Sequence, residues 1–338
     1  MNVPVLNVPA DEPGAVHPTT QSRSADAWVF QFGAMGSDCE VHLAGHVSEG
    51  HARLAAEAAI AEVRRIEHKY SRYRADSLVS QINAAAGQGI AVPIDDETAD
   101  LLAYADQMYF ASDGLFDITS GVLSRAWDFR AGRLPNTQTL NTLRQCVGWS
   151  LTRLERAPPG RSSFELLRPG MEIDLGGFGK EYAADRAAVL LQERSLRHGF
   201  VNLGGDIRLL GPRPDGAAWQ MAVRHPREEH RPLATIALHE GALATSGDYE
   251  RYFIGPDGER YCHVLNPRTG WPVRAWRSIS VVAPLCLAAG SICTIAMLKG
   301  EDALPFLQRQ ATDFLAVDAQ GQVHRADSGP AARGSDAP

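Results

Sequence analysis

Ile173-Asp-Leu-Gly-Gly-Phe-Gly-Lys-Glu-Tyr-Ala-Ala-Asp185 is the densest signal in the chain. A strand ends in a glycine turn, and a helix begins at about Lys180 and runs to about residue 197, with Gly199 as its stop signal. Glycines let a backbone approach a ligand closely, and a helix N-terminus presents unpaired N–H groups to an anion. Lys180 adds a positive charge suited to phosphate at that point. A plain strand–turn–helix with a surface lysine satisfies the same spacing, so two readings stay open here.

Working outward, residues 28–32 and 40–43 read as strands around the turn Gly33-Ala-Met-Gly-Ser-Asp38. Leu54, Ala58, Val63, Ile66 and Tyr70 fall near helical spacing, which predicts a helix over about 49–70. A second helix starts at the Asp95/Asp96 cap and stops near Gly114. The second half is richer in strands, at 200–211, 219–226, 233–246, 261–267, 278–284 and about 313–317, with a helix at about 286–299. Short turns such as Pro214-Asp-Gly216 favour antiparallel neighbours. The fold class is α+β, with mixed, mainly antiparallel sheets flanked by helices and no internal repeat. Residues 1–25 and 321–338 lack periodicity and read as disordered tails around a single unit at 26–320.

Length and composition agree with that unit. At roughly 150 residues per domain, 338 residues allow one large or two medium domains. Apolar residues at 44% and charged residues at 22% suffice for a sizeable core. The 33 basic and 40 acidic residues give a net charge of −7, and an acidic surface repels a phosphate backbone, which disfavours nucleic acid as a partner. No apolar run approaches the ~20 residues of a membrane span. The first residues have neither a basic start nor an apolar core of a secretory leader. Five unevenly spaced cysteines suit free thiols in a reducing cytoplasm. Common nucleotide and hydrolase motifs are missing. Gly176-Gly-Phe-Gly-Lys-Glu181 lacks the leading glycine and final hydroxyl of a P-loop, and no GxGxxG, paired CxxC, HExxH or GxSxG string occurs.

Further constellations are individually weak. In Val201-Asn-Leu-Gly-Gly-Asp206 the two glycines permit a bulge or tight bend, and Asp206 serves either as a turn residue or as a ligand. Ala244-Thr-Ser-Gly-Asp-Tyr249 can wrap a phosphate or ribose. His263 is either a satisfied core histidine in a strand or a functional group, and Asn266-Pro-Arg-Thr-Gly270 is turn chemistry. Tyr73, in Ser71-Arg-Tyr-Arg-Ala-Asp-Ser77, either packs or stacks on a planar ring. Leu115-Phe-Asp-Ile-Thr-Ser-Gly121 can add another pocket face.

Taken in order, Met35-Gly-Ser37, SRYRADS, FDIT, IDLGGFGKEYAAD, VNLGGD, ATSGDYERY and HVLNPRTG resemble the ApbE family, the FAD:protein FMN transferases, over about residues 28–320. The resemblance implies an FAD cleft between two lobes. It implies cleavage of the FAD pyrophosphate, attachment of FMN through its phosphate to a Thr or Ser of a target flavoprotein, and release of AMP. Met35, Tyr73, Asp174, Lys180 and Leu265 match flavin-nucleotide contacts, as do Leu115, Phe116 and Asp117. Lys180 and His263 match catalytic candidates, with a neutral histidine suited to accept the acceptor hydroxyl's proton.

One position departs from the pattern. The family binds Mg²⁺ through an aspartate on the last long helix and a threonine four residues later, with a backbone carbonyl that matches Gly177. Here Thr294 is kept and Cys293 precedes it, but Gly290 stands at the aspartate position. The glycine that follows the family's lysine is Glu181. Mg²⁺ prefers hard oxygen ligands and commonly one or two carboxylates, so the site is expected to be weakened. Three outcomes are open: Asp206 or Asp248 coordinates the metal, the FAD phosphates hold it with little protein help, or the chain only binds or delivers FAD. Lys180 is expected to replace part of the missing metal charge.

Overall fold

A nine-stranded antiparallel sheet forms the spine of the protein, and its spatial order follows chain order. The strands are β1 (Thr20–Arg23), β2 (Ala27–Ala34), β3 (Ser37–Ala44), β4 (Gly199–Leu203), β5 (Asp206–Gly211), β6 (Ala242–Gly247), β7 (Trp276–Ala283), β8 (Phe314–Asp318) and β9 (Val323–Arg325). This computed structural model describes residues 19–24, 26–158, 160–228 and 231–326. In β2, Trp28, Phe30 and Phe32 are buried while Gln31 is exposed, the period-2 pattern of a strand with one face on a core.

The register brings three strand connections to one end of this sheet. Ala34 pairs with Ser37 across the Met35-Gly36 turn, Leu203 pairs with Asp206 across Gly204-Gly205, and Gly247 pairs with Ser278 where the chain leaves β6. Four helices matter for the site: α1 (Glu49–Tyr70), α2 (Asp96–Ala111), α3 (Gly179–Glu193) and α4 (Cys286–Lys299). Between α1 and α3 the chain builds a smaller layer, with an antiparallel sheet of Val92–Ile94, Ser162–Leu166 and Thr152–Glu155 and a 3₁₀ segment Ile118–Ala126. One buried cluster runs from Ile279 of β7 through Ala184 and Leu191 of α3 to Phe164 of the small sheet. The hairpin of Trp219–Arg224 and Pro232–Leu238 covers the other face of the large sheet through Trp219, Met221 and Leu238.

Several sequence expectations change. Within 200–211 the bend allowed at Gly204-Gly205 is a hairpin turn, with both glycines at positive φ. The third helix ends at Glu193, four residues early. Ser195 adopts φ +64 and the Leu196 N–H donates to the Leu191 carbonyl, a left-handed termination reached before Gly199. Parts of the expected tails are strand: β1 pairs with β2 and β9 pairs with β8. The rest of the expected tails, residues 1–18 and 327–338, lies outside the described residues.

Candidate active site

The end of the sheet gathers the glycine-rich strings. Met35 and Gly36 form a two-residue hairpin turn with φ of +53 and +66, so a methionine holds a left-handed conformation that most side chains avoid. The Met35 N–H donates to Glu67 Oε1 at 2.6 Å, tying the turn to the last turn of α1. Gly204 comes so close to this turn that a Cβ there would stand 2.8 Å from the side chain of Ser37 and 3.8 Å from Lys180 Nζ. Lys180, in the first turn of α3, donates to Asp206 Oδ2 at 2.7 Å. Asp206 is buried and also accepts from the Thr245 N–H at 3.3 Å. Burial alone would lower the Lys180 pKa, but Asp206 and Glu181 more than offset it and hold the amine charged. No side chain caps the N-terminus of α3. A lysine, a glycine turn and an uncapped helix start thus meet at one place, the donor set that an anion needs.

Asp174 and Phe116 extend the site toward the small layer. Asp174 accepts from the Gly176 N–H at 2.8 Å and pairs with Arg72 at 3.2 Å. Arg72 also bonds Glu172 at 3.0 Å and carries its guanidinium beneath Tyr73, 5.7 Å from the ring centroid. Tyr73 is 68% exposed, which excludes the packing reading and leaves its face open to a planar ligand. Phe116 is buried, stacks on Phe178 at 5.9 Å and lies under Gly177. Leu115 is buried beside it. Asp117 differs from its expected contact role. It is buried and accepts from the Thr119 N–H, the Thr119 hydroxyl and the Trp149 N–H, so its carboxylate is consumed in capping the 3₁₀ segment. Leu265 packs against both the Val122 cluster and the Trp127–Phe253–Tyr261 ring cluster, on the segment that joins β6 to β7.

His263 lies one residue beyond the strand Arg260–Cys262 and is exposed, so it is not a core histidine. Desolvation is nevertheless the largest influence on it. With the positive charges of Arg251 and Lys180, desolvation pulls its pKa down to about 4. Crowded by protein and two cations, the imidazole stays neutral near pH 7. The His263 backbone N–H donates to the Arg251 carbonyl at 2.9 Å. Arg251 itself went unread in the sequence. Its guanidinium would meet a Cβ at Gly36 at 3.4 Å, which places a second cation beside the Met35 turn.

Similarity to known proteins runs through these same strings. The ApbE family model matches residues 35–317. The chain belongs to the ApbE family. A Vibrio cholerae protein named FAD:protein FMN transferase is 30% identical over 245 residues, covering 70% of this chain and 71% of its own. Its Haemophilus influenzae namesake is 29% identical over 244 residues, covering 70% of each. Among solved structures, the ApbE protein of Thermotoga maritima superposes with a TM-score of 0.81 at 29% identity, over 89% of this chain and 97% of that one.

The residues that match the family's metal donors differ in how well they suit a cation. Thr294 on α4 is half-buried, and its Oγ1 lies 3.2 Å from Oγ of Ser246 near the end of β6. Gly177 is exposed in the turn before α3 and offers only backbone. Cys293 does not fit: it is fully buried, its Sγ donates to the Ala244 carbonyl at 3.3 Å, and burial pushes its pKa well above the ordinary value. Asp248 does not fit either, because Arg227 engages both of its oxygens at 2.7 Å. Position 290 is filled from across the helix pair. A Cβ on Gly290 would stand 2.3 Å from Glu181 Oε1, and the Glu181 side chain is buried with Oε2 lacking any hydrogen-bond partner. An orphaned buried carboxyl oxygen packed one helical turn before Thr294 on α4 is chemistry that fits a hard cation. Lys180 does not stand in for that cation by itself, since Asp206 balances its charge.

Another recess lies among α1, α2 and α3 and is lined by Glu62, Arg65, Glu97 and Tyr182. Its charges already satisfy one another, with Arg65 on Glu62 at 2.7 Å and on Glu97 at 2.6 Å. It is an ion-pair network rather than a ligand site.

Proposed function

We propose that this protein is an FAD:protein FMN transferase, which cleaves the FAD pyrophosphate and joins FMN to a Thr or Ser hydroxyl of a partner flavoprotein, releasing AMP. The observation that carries this reading is the convergence of the family's strings at one end of one sheet: Met35, Lys180, Asp206 and His263 come from four separate segments. Tyr73 supplies a face for the isoalloxazine ring, and Met35, Asp174 and Leu265 line its approach. The start of α3 with Lys180, and Arg251 beside it, receive the diphosphate. In the transfer, the acceptor oxygen forms a bond to the FMN phosphorus as the bond from that phosphorus to the AMP oxygen breaks. Charge then accumulates on the departing AMP phosphate, where the lysine and the glycine-turn amides meet it. His263, neutral near pH 7, takes the hydroxyl proton. Thr294 and the Gly177 carbonyl are oxygen donors suited to Mg²⁺, which when bound supplies additional positive charge to the diphosphate.

The five cysteines are unpaired, which agrees with a reducing cytoplasm as the place of action. No helix among the described residues is long and apolar enough to cross a membrane. Incubating the protein with FAD, Mg²⁺ and a candidate acceptor flavoprotein, then separating by denaturing gel, tests the activity. A fluorescent acceptor band with stoichiometric AMP is expected. FAD bound to the protein with neither band nor AMP, across the flavoproteins encoded with it, contradicts the transferase reading.

A further inference from the structure

Helices α3 and α4 run antiparallel, and their facing residues come in two matched steps. Asp185 accepts from the Cys286 and Leu287 N–H groups at 2.9 Å each, at the start of α4. One turn back along α3 stands Glu181, and one turn forward along α4 stands Gly290, against which Glu181 Oε1 packs. No other residue type fits at 290 while Glu181 holds this place, because a Cβ would fall 2.3 Å from Oε1, 2.6 Å from Cγ and 2.7 Å from Cδ. Mid-helix glycine costs about 1 kcal/mol relative to alanine, so the helix gains nothing from it. What the glycine permits is the carboxylate.

The surroundings of that carboxylate state what it lacks. Glu181 is 6% exposed and its Oε2 has no partner. The nearest amine, Lys180, is committed to Asp206 at 2.7 Å. One further turn along α4 from Gly290 comes the Thr294 hydroxyl, on the same helix face and bonded to Ser246. Among the described residues no three His, Cys, Asp or Glu side chains converge into a complete metal cage. One carboxylate plus hydroxyl and carbonyl oxygens is instead the partial set that Mg²⁺ uses when a substrate's phosphates complete its shell.

We infer that Glu181 is the anionic ligand of a divalent-cation site at the FAD diphosphate, its carboxylate reaching across from α3 into the space that Gly290 leaves on α4, with Thr294 as a neutral ligand. The inference rests on the transferase reading for the identity of the phosphate ligand. It makes positions 181 and 290 a reciprocal pair, in which a carboxylate is supplied from one helix or the other but not from both.

Mn²⁺ binding to the full chain loaded with FAD, followed by electron paramagnetic resonance titration, tests this without an activity readout. Glu181→Gln keeps the shape and is expected to weaken Mn²⁺ binding at least about tenfold, with FAD still bound. Gly290→Asp alone places two carboxylates in one space and is expected to melt lower. The exchange variant E181G/G290D returns the carboxylate from α4 and is expected to recover Mn²⁺ binding to within a few-fold of the parent. Unchanged Mn²⁺ affinity in Glu181→Gln overturns the inference. So does an exchange variant that folds, binds FAD and fails to bind Mn²⁺, which also decides the matter if Glu181→Gln does not fold. Transfer to the acceptor is scored separately. Glu181-dependent Mn²⁺ binding without AMP release supports the site and contradicts the transferase reading, whereas metal-dependent transfer that survives Glu181→Gln overturns the site alone.

Discussion

His263 shows how a single residue's surroundings set its chemistry. An imidazole at its ordinary pKa of about 6.5 would be half protonated just below neutrality and half lost as a base. Desolvation, Arg251 and Lys180 lower its pKa to about 4, so it is already unprotonated throughout the neutral range. The acid limb of the transfer rate is therefore expected near pH 4–5 rather than near 6.5, as far as the protein stays folded, and absent in His263→Ala. A limb at 6.5 that persists in the variant removes His263 from the proton transfer. The same shift has a stability sign. Because the unfolded chain takes up the proton first, this residue's contribution is fully present above pH 6.5 and is lost as pH falls toward 4. Met35 illustrates the opposite compromise. Its left-handed φ of +53 costs roughly 1–2 kcal/mol, whereas glycine there would cost about 0.5–1 kcal/mol in chain entropy. Met35→Gly is expected to raise stability by up to about 1 kcal/mol in urea unfolding while weakening FAD binding in a fluorescence titration. Stability gained with FAD affinity unchanged would make the methionine a structural accident rather than a contact.

Elements carry the site more than single residues do, and Asp185 is the clearest hinge between them. Its carboxylate receives the first N–H groups of α4 and pairs with Arg208 at 3.1 Å, all with little exposure. Asp185→Ala leaves those donors orphaned and the guanidinium unpaired, and is expected to cost about 2–3 kcal/mol, with a melting temperature several degrees lower. A loss below 0.5 kcal/mol would show that water replaces the cap and that the α3–α4 contact is not held there. The legibility of the chain divides along the same line. Helix α1 was readable because Val63, Ile66 and Tyr70 repeat at helical spacing, a local signal, although Leu54, placed on the same face, is 63% exposed. The Asp95 cap of α2 was equally local. The pairing of β3 with β4 was not readable, since about 150 residues separate them and strand partners leave no periodic trace. Gly290 was visible as a departure, and so was Glu181. Their relation was not, because it exists only in the packing of two helices about 100 residues apart. Asp117 misled for a related reason: FDIT has the composition of a pocket edge, but its aspartate is used up by its own turn.

On the scale of the whole molecule, one buried cluster joins the large sheet, the helices and the small sheet, so the expected two lobes share a core. Chain before residue 150 supplies Met35 and Tyr73, and chain after it supplies Lys180, Asp206 and His263. A division near residue 150 would also separate Val92–Ile94 from its partner Ser162–Leu166. Thermal unfolding is therefore expected as one cooperative transition, with FAD release coincident with loss of near-ultraviolet circular dichroism. Two separated transitions would mean that the lobes fold independently and that the cleft is an interface. The net charge of −7 says little about this site, where Arg251 and the Asp206-paired Lys180 act on His263 at close range.

The central claim is that these elements cooperate to move FMN from FAD to a protein hydroxyl. Intact-mass analysis of an acceptor flavoprotein after incubation with this protein, FAD and Mg²⁺ tests it most directly. The account predicts that the acceptor gains the mass of FMN less one water, that the gain disappears when its acceptor Thr or Ser is replaced by alanine, and that His263→Ala slows it. An acceptor that keeps its mass while the protein remains saturated with uncleaved FAD would contradict the account.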